Sequence, residues 1–306
     1  MNKTIRIFSI LSMLFILIIL KNRKKIKICI CTIGKKENLY AREFVEYYKD
    51  LGVNKIFIYD NNEKNDEKFD IVLKNYIENK FVEIIDFRGI EGPQLQSMED
   101  CRKKNFKNYN WLIFFDMDEF LFLRNYSHIS DFLNQKIFDR CQRVQLNWFF
   151  HTDNNLLYYE NKTLKERFPQ TDKRWNGIKL GGEEGIKSIL KGNIDIEINN
   201  VHYLNPNLIS CNGFGKIKEV KGIITNESDH YYYYIDHYWS KSTEEFVNKL
   251  MRGDVVLGKN TNYSNNKINM YFHLCDITID KINYIENRTK LNLTHFKVLL
   301  QKNTNK

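Results

Sequence analysis

The stretch Trp111-Leu112-Ile113-Phe114-Phe115-Asp116-Met117-Asp118-Glu119-Phe120-Leu121 joins an apolar segment directly to three acidic residues. The apolar run predicts a buried β-strand that delivers its carboxylates to a site. Because side chains alternate between the faces of a strand, Asp116 and Asp118 can point the same way. Two carboxylates directed at one point suit Mg²⁺ or Mn²⁺ better than zinc. The stretch therefore predicts a metal site, although acids after a strand also serve as turn or helix-capping residues.

The chain before this stretch alternates between strand-like and helix-like patterns. Strands separated by helices imply right-handed crossovers, which predicts an α/β fold with a mostly parallel, Rossmann-like central sheet and helices on both faces. Ligands of such sheets bind beyond the carboxyl ends of the strands. The predicted strands are 26–33, 54–60, 81–87 and 111–116, and the predicted helices are 37–51, 67–79 and 94–107.

Polar residues follow the predicted strands at this edge of the sheet, among them Thr32, Asp60 and Asp116. No Gly-x-Gly-x-x-Gly and no Gly-x₄-Gly-Lys-Ser/Thr sequence follows the first strand, which disfavours a dinucleotide site and a P-loop. A diphosphate bound without a glycine-rich loop needs another source of positive charge. The two aspartates could supply it by holding a metal ion.

The chain has 306 residues, 42% of them hydrophobic, and a formal net charge of +9. Seven basic residues and no acid fall within the first 27 positions, and the rest of the chain is close to neutral. A near-neutral body lacks the broad basic surface that binds nucleic acid, so we expect no nucleic-acid partner. The six cysteines fit a reduced protein or a few bridges equally well, and Cys29-x-Cys31 is interpreted as core packing rather than a zinc site.

The segment Ile7 to Leu20 contains fourteen residues without a charge, and basic residues follow it at once. It is shorter than the roughly 20 residues of a typical membrane-spanning helix, but no small-x-small cleavage site follows it. We therefore expect an uncleaved single-pass membrane anchor over residues 1–25. The basic residues after the segment favour a cytoplasmic body by the positive-inside rule.

The later part of the chain is less regular but contains one clear helix signal. A strongly aromatic run, Tyr231 to Trp239, precedes Ser242 and Glu245, which have the spacing of a capping box. The sequence predicts a helix that begins at this box and ends at Gly253.

Three blocks in this order resemble family 92 glycosyltransferases, which are related to family 2. The resemblance covers roughly residues 27–255 and implies a GT-A fold. The blocks are Glu37-Asn38-Leu39-Tyr40-Ala41-Arg42-Glu43-Phe44-Val45-Glu46-Tyr47-Tyr48 with Leu51-Gly52-Val53 and Tyr59-Asp60-Asn61-Asn62; Phe115-Asp116-Met117-Asp118-Glu119-Phe120; and Asp236-His237-Tyr238-Trp239-Ser240-Lys241-Ser242 through Phe246, Lys249 and Arg252-Gly253-Asp254.

The resemblance implies a hexosyltransferase that moves a sugar from a nucleotide-sugar, a UDP-sugar by family habit, to a hydroxyl of a glycan or glycoconjugate with inversion. Family members face the secretory lumen, in conflict with the flanking charge. The implied roles are Asp116, Asp118 and His237 for Mn²⁺ or Mg²⁺, Asp116, Lys241 and Arg252 for the diphosphate, and Thr32, Glu37 and Asp60 for the base and ribose.

Inverting transfer needs a base that removes the proton of the acceptor hydroxyl. We favour Asp254 because it follows the helix of the late block, where a loop can face the acceptor. The other candidates for this base are Asp153, Glu183, Glu184 and Asp236.

Four regions follow from these observations. They are an anchor (1–25), a nucleotide-sugar-binding half (26–125), an acceptor-side half with the His-containing block (126–260) and a C-terminal extension (261–306). The alternative function is a non-catalytic module that binds nucleotide or carbohydrate on the same fold. A metal-dependent nuclease or phosphatase is disfavoured because the body lacks a basic surface.

Overall fold

The computed structural model describes residues 26–90, 92–170, 185–218, 232–253 and 261–304. The predicted anchor and Asp254 lie outside these residues, as do Glu183 and Glu184. Within the described ranges, no helix combines the length and the apolar character needed to cross a membrane.

The first part of the described chain alternates strands and helices, as the sequence predicts. Its elements in chain order are β1 (Ile28–Gly34), α1 (Asn38–Asp50), β2 (Lys55–Asp60), α2 (Phe69–Val72), α3 (Lys74–Glu78), β3 (Val82–Asp86), α4 (Gln94–Asn105), β4 (Trp111–Ile113), β5 (Glu119–Leu123) and α5 (Ile129–Leu133).

The second part has more short strands and ends in helices. Its elements are a 3₁₀ helix (Lys136–Phe138), β6 (Arg143–Phe150), α6 (Leu164–Arg167), β7 (Ile186–Lys191), β8 (Ser210–Cys211), β9 (Ile217–Lys218), β10 (Tyr233–His237), α7 (Thr243–Arg252), α8 (Thr261–Leu274), α9 (Ile279–Thr289) and α10 (Thr294–Thr304).

One mixed sheet runs through both predicted halves in the order β3-β2-β1-β4-β7-β6-β10-β5. The strands β3, β2, β1 and β4 are parallel neighbours, which agrees with the predicted crossovers. Beyond β4 the expectation of a mostly parallel sheet fails, because β7 is antiparallel to both β4 and β6, and β10 is antiparallel to β5. The link from β4 to β5 is too short for a helical crossover, so β5 cannot lie parallel beside β4.

The strand at the start of the stretch 111–121 is shorter than predicted. It ends at Ile113, so Asp116 and Asp118 stand in the connection between β4 and β5, and Glu119 begins β5. Phe114, Phe115 and Met117 of this stretch are buried in the core. Burial of these side chains fixes the connection and therefore the two aspartates within it.

Two disulfides connect the sheet to its surroundings. Cys31 of β1 is bonded to Cys101 of α4, and Cys141 is bonded to Cys211 of β8. Cys29 and Cys31 are both buried in the core, as expected of packing residues, and Cys31 is cross-linked in addition.

The helix signal of the late block is confirmed. The Ser242 hydroxyl accepts from the Glu245 N–H at 3.3 Å, and the Glu245 carboxylate accepts from the Ser242 N–H at 3.0 Å. Helix α7 ends at Arg252, and Gly253 follows as its cap with a φ of 84°, which is readily available only to glycine.

Candidate active site

Asp116 lies at the centre of a network of polar contacts. Its Oδ2 is 2.8 Å from the Nζ of Lys187 on β7, and its Oδ1 accepts a hydrogen bond from Gln94 of α4 at 3.2 Å. Its backbone N–H donates to Glu119 at 2.9 Å. With 35% of its side chain exposed, Asp116 is held in one orientation but can still meet a ligand.

Lys187 and Glu119 form the buried base of this network. The Lys187 Nζ lies 3.6 Å from Glu119 Oε1, and both side chains are at most 1% exposed. Burial alone would lower the pKa of Lys187, but Asp116 and Glu119 outweigh it and raise the pKa. Burial raises the pKa of Glu119 well above its usual value, against the attraction of Lys187. Lys187 therefore stays charged and holds the Asp116 carboxylate in place.

Asp118 is surrounded by positive charge. Its Oδ2 lies 3.0 Å from Lys249 Nζ and 3.7 Å from Lys241 Nζ, and its Oδ1 lies 3.6 Å from His237 Nε2. Burial alone would raise the pKa of Asp118, but Lys249, Lys241 and His237 outweigh burial and hold the pKa well below its usual value. Asp118 is therefore an anion in an almost closed site.

His237 is the last residue of β10 and lies beside Asp118. The backbone N–H of the next residue, Tyr238, donates to the Asp118 carbonyl at 2.9 Å, which ties the end of β10 to the β4–β5 connection. Burial lowers the pKa of His237, which favours the neutral imidazole that binds metal ions.

Glu37 links the start of α1 to the late block. It accepts from Lys241 at 3.2 Å and from Arg252 at 2.6 Å. Arg252 also donates to the carbonyl groups of Lys35 and Lys36, so it fastens α7 to the loop after β1. The first and last family-like blocks thus meet at one carboxylate.

Asp116, Asp118 and His237 line a cleft of about 190 Å³. The indole ring of Trp239 lies beneath two ammonium groups, 5.5 Å from Lys249 and 5.2 Å from Lys267. A second cavity of about 430 Å³ adjoins the cleft and shares Glu37, Lys249 and Arg252 with it. The residues that line the cleft are Ile33, Lys35, Glu37, Gln94, Asp116, Met117, Asp118, Trp148, Val201, His202, His237, Trp239, Lys249, Arg252 and Lys267.

The model of glycosyltransferase family 92 matches residues 24–270, which is most of the chain. The chain belongs to glycosyltransferase family 92. The matched residues include all three blocks that meet in the cleft.

The family 92 relatives are much longer proteins. The chain is 29% identical over 116 residues to a glycosyltransferase family 92 protein of Ricinus communis, covering 37% of this chain and 20% of that protein. It is 30% identical over 109 residues to a glycosyltransferase family 92 protein of Arabidopsis thaliana, and this match covers 33% of this chain and 17% of that protein. The chain matches only about a fifth of the length of these relatives.

Two solved structures of S. aureus TarS resemble the chain distantly. The match to one of them covers 80% of this chain and 43% of the TarS chain, with 9% identity and a TM-score of 0.36. The match to the other, TarS 1–349 in complex with UDP-GlcNAc, covers 86% of this chain and 79% of the TarS chain, with 10% identity and a TM-score of 0.38. Scores this low indicate no more than a remote similarity of shape.

The structure of this family 92 chain brings most of the predicted site residues together. Glu37, Asp116, Asp118, His237 and Arg252 line the cleft, and Lys241 contacts both Glu37 and Asp118. Their roles toward a ligand stay predictions.

Two other predicted residues lie apart from the cleft. Thr32 lines a small neighbouring pocket with Gln94 and Asp116, and its buried hydroxyl has no hydrogen-bond partner within the described part of the chain. Asp60 is fully buried and accepts from Arg88 at 2.7 Å, so its carboxylate is already engaged. Its predicted contact with the nucleoside stays a prediction.

Sequence reasoning left three contributors out of the predicted site. Gln94, Lys187 and Lys249 hold the two aspartates in the structure. Lys249 falls in the late block, four residues after Glu245, which on a helix is the same face. For Lys187 the only local signal is a cationic residue between the apolar residues Ile186 and Ile189, because a buried lysine requires a partner.

The donor set fits a hard divalent cation, although the aspartates are now paired with ammonium groups. Asp118 Oδ1 and His237 Nε2 are 3.6 Å apart without a hydrogen bond, and two ligands about 2.1 Å from one ion can be about 3–4 Å apart. Carboxylate oxygen and neutral imidazole both suit Mn²⁺. As they stand, the described residues form no group of three or more His, Cys, Asp or Glu side chains that could hold an ion. Binding would therefore require rotation of these side chains.

Proposed function

We propose that this chain is the catalytic domain of a metal-dependent hexosyltransferase of GT-A type. It transfers a sugar from a nucleotide-sugar, a UDP-sugar by family resemblance, to a hydroxyl of a glycan or glycoconjugate with inversion. The observation that carries the proposal is the meeting of Asp116, Asp118 and His237 with four cationic side chains in a cleft at the end of the parallel strands. Ligands of open α/β sheets bind at this edge.

The chemistry of the cleft suits a diphosphate leaving group. Negative charge grows on the diphosphate as the sugar departs, and preorganised cations stabilise that charge. Lys241, Lys249 and Arg252 are such cations. Asp116, Asp118 and His237 would hold Mn²⁺ or Mg²⁺, which supplies further Lewis-acid stabilisation when bound.

We retain Asp254 as the proposed catalytic base. Two of its rivals are already engaged, because Asp153 contacts Lys281 at 2.6 Å and Asp236 contacts His151 at 2.7 Å. Asp236 and His237 are adjacent on β10, so their side chains point to opposite faces of the sheet. Neither rival lines the cleft.

For the acceptor we propose the cavity that adjoins the cleft. It contains charges of both signs together with the exposed apolar side chains of Leu39 and Met251. Sugars present hydroxyls and apolar C–H faces, so a mixed lining of this kind suits a glycan. Trp148 and Trp239 in the cleft could pack against the transferred sugar.

We further propose that an anchor in residues 1–25 holds the domain at a membrane, with the domain on the lumenal side. The flanking basic residues favour the opposite side. The bridges Cys31–Cys101 and Cys141–Cys211 support the lumenal side, because disulfides persist in oxidising compartments and are rare in the cytosol.

A donor screen on the full-length chain in detergent tests the proposed function. Nucleoside diphosphate release is measured for a panel of nucleotide-sugars with a glycan acceptor mixture, with Mn²⁺ and with excess chelator. We expect turnover with at least one donor and its loss in chelator. Asp118→Asn should reduce the rate by about a hundredfold or more, because it removes the anion that the site is built around.

The matched control is Asp280→Asn, an exposed aspartate in the first turn of α9. It removes the same charge from a residue that lines neither the cleft nor the adjoining cavity, so the rate should stay unchanged. UDP binding without turnover on any donor would favour the non-catalytic module. Full activity in chelator would reject the metal.

A further inference from the structure

Asp118 has more cationic partners than one carboxylate needs. Lys249 lies 3.0 Å and Lys241 3.7 Å from the same oxygen, Oδ2. Two ammonium groups at one oxygen repel each other, so the arrangement gains if one of them has another anion to bind.

The two lysines differ in how firmly they are held. The Lys241 side chain is 5% exposed, contacts Glu37 at 3.2 Å and lies 3.8 Å from the centre of the Tyr40 ring. The Lys249 side chain is 25% exposed, and apart from Asp118 its polar contact is the Trp239 carbonyl at 3.5 Å. Lys241 is therefore held by three groups, whereas Lys249 is held by fewer contacts and is open to solvent on one side.

The cations of the network have carboxyl partners before any ligand binds. Lys187 contacts Asp116 and Glu119, Lys241 contacts Asp118 and Glu37, Lys249 contacts Asp118, and Arg252 contacts Glu37. Each of these four cations thus already faces a carboxyl group. A divalent cation alone or a diphosphate alone would add unpaired charge to this low-dielectric site, whereas the charges of the two together nearly cancel.

We propose that Lys249 is an exchangeable counter-ion that occupies Asp118 in the empty site and turns to the donor diphosphate when a divalent cation binds. This inference rests on the proposed function. Lys249 then competes with the cation for Asp118 and assists the diphosphate, so the two ligands bind cooperatively. Lys241 keeps its contact with Glu37 throughout.

Calorimetric titration of the full-length protein tests this exchange. Mn²⁺ is titrated without nucleotide, and UDP is titrated at saturating Mn²⁺. The substitution Lys249→Met keeps a long side chain but removes its charge. We expect it to tighten Mn²⁺ binding about tenfold and to weaken UDP binding about tenfold. Lys249→Arg should bind Mn²⁺ as the wild type does, because it keeps the charge.

The matched control is Lys267→Met, which removes a charge from the same cleft and from above the same Trp239 ring. It should shift the Mn²⁺ affinity by less than threefold. Thermal unfolding of each variant checks that the fold is intact. An equal gain for Lys249→Met and Lys267→Met would overturn the exchange, because it would show only general electrostatics.

Other outcomes separate this inference from the function beneath it. Wild-type Mn²⁺ binding that Lys249→Met leaves unchanged or weakens overturns the exchange and leaves the transferase standing. If neither protein binds Mn²⁺, with or without UDP, then the metal part of the proposed function fails and the exchange fails with it.

Discussion

Two ionic networks in this molecule use the same residue types for different ends. At the cleft, Asp118 meets Lys241 and Lys249, and a quarter of the Lys249 side chain is exposed. In the second network, which does not line the cleft, Asp153 meets Lys281 at 2.6 Å, and both side chains are at most 3% exposed. The first network has more cations than its carboxylate needs and an opening to solvent, whereas the second is sealed.

The sealed network serves the architecture. The Tyr271 hydroxyl donates to Asp153 at 2.6 Å, so one carboxylate fastens both α8 and α9 to the segment after β6. Tyr271 also stacks on Phe246 of α7 with ring centres 4.1 Å apart. Exposure, rather than residue type, thus distinguishes a network that can exchange partners from one that holds elements together.

The largest expected effect comes from breaking the sealed pair with Lys281→Met. It leaves Asp153 buried without its cation, and such a change costs about 3–5 kcal/mol in the free energy of unfolding. Urea unfolding followed by circular dichroism measures the loss.

The control for this change is Lys297→Met, which breaks the pair with Glu286 on the same C-terminal helices. The Lys297 side chain is 36% exposed and that of Glu286 is 22% exposed. Loss of this pair should therefore lower the free energy of unfolding by at most about 1 kcal/mol. Equal losses in the two variants would contradict the distinction between sealed and open pairs.

Lys187→Met tests a pair that lies between these extremes. Lys187 is buried, but its partner Asp116 is 35% exposed and can take up water. We therefore expect a loss of about 3 kcal/mol, at the low end for a broken buried pair, in the same unfolding assay.

The same variant should also lower the transfer rate, because Asp116 loses the contact that orients it. Transfer kinetics across a donor titration should show a fall in kcat that the loss of stability alone does not produce. A variant that unfolds more easily yet keeps the wild-type kcat would show that Lys187 serves the fold alone.

A smaller effect is expected from acid. Burial, with the charge of Lys187, lowers the pKa of His202 to about 3, whereas the unfolded value is 6.5. The stability contribution of neutral His202 is complete above pH 6.5 and is lost as the pH falls below it, since the unfolded chain then binds the proton. At pH 5 the loss is about 2 kcal/mol.

Unfolding free energies at pH 7 and pH 5 measure this loss, with His202→Asn as the control that lacks the titrating group. The wild type should lose about 2 kcal/mol more than the variant between the two pH values. Parallel losses would mean that another group carries the acid sensitivity of the cleft.

The parts of the fold that sequence reasoning predicted are those coded by neighbouring residues. The alternation that gives β1 to β4 and the capping box at Ser242 are local patterns, and the structure confirms both. The pairing of β7 with β4 is not local, and the polypeptide between them contains no regular crossover pattern. The mixed half of the sheet therefore could not be predicted.

The same limit applies to the site. Asp116 and Asp118 could be found because they sit together at the end of an apolar run. Their ammonium partners lie 71 residues away at Lys187 and 131 residues away at Lys249, and no spacing rule connects such positions. The sequence showed where the anions lie but not which cations meet them.

Helix α7 has a further consequence for how this sequence can vary. Glu245, Lys249 and Arg252 follow one another at intervals of four and three residues, so they share one face. Glu245 is fixed by Arg167 at 2.6 Å, Lys249 reaches Asp118, and Arg252 reaches Glu37. Each residue added or removed within this stretch would turn the later side chains by about 100° around the helix axis. An insertion or deletion within this stretch would therefore separate Lys249 or Arg252 from its carboxylate, even if every side chain were kept.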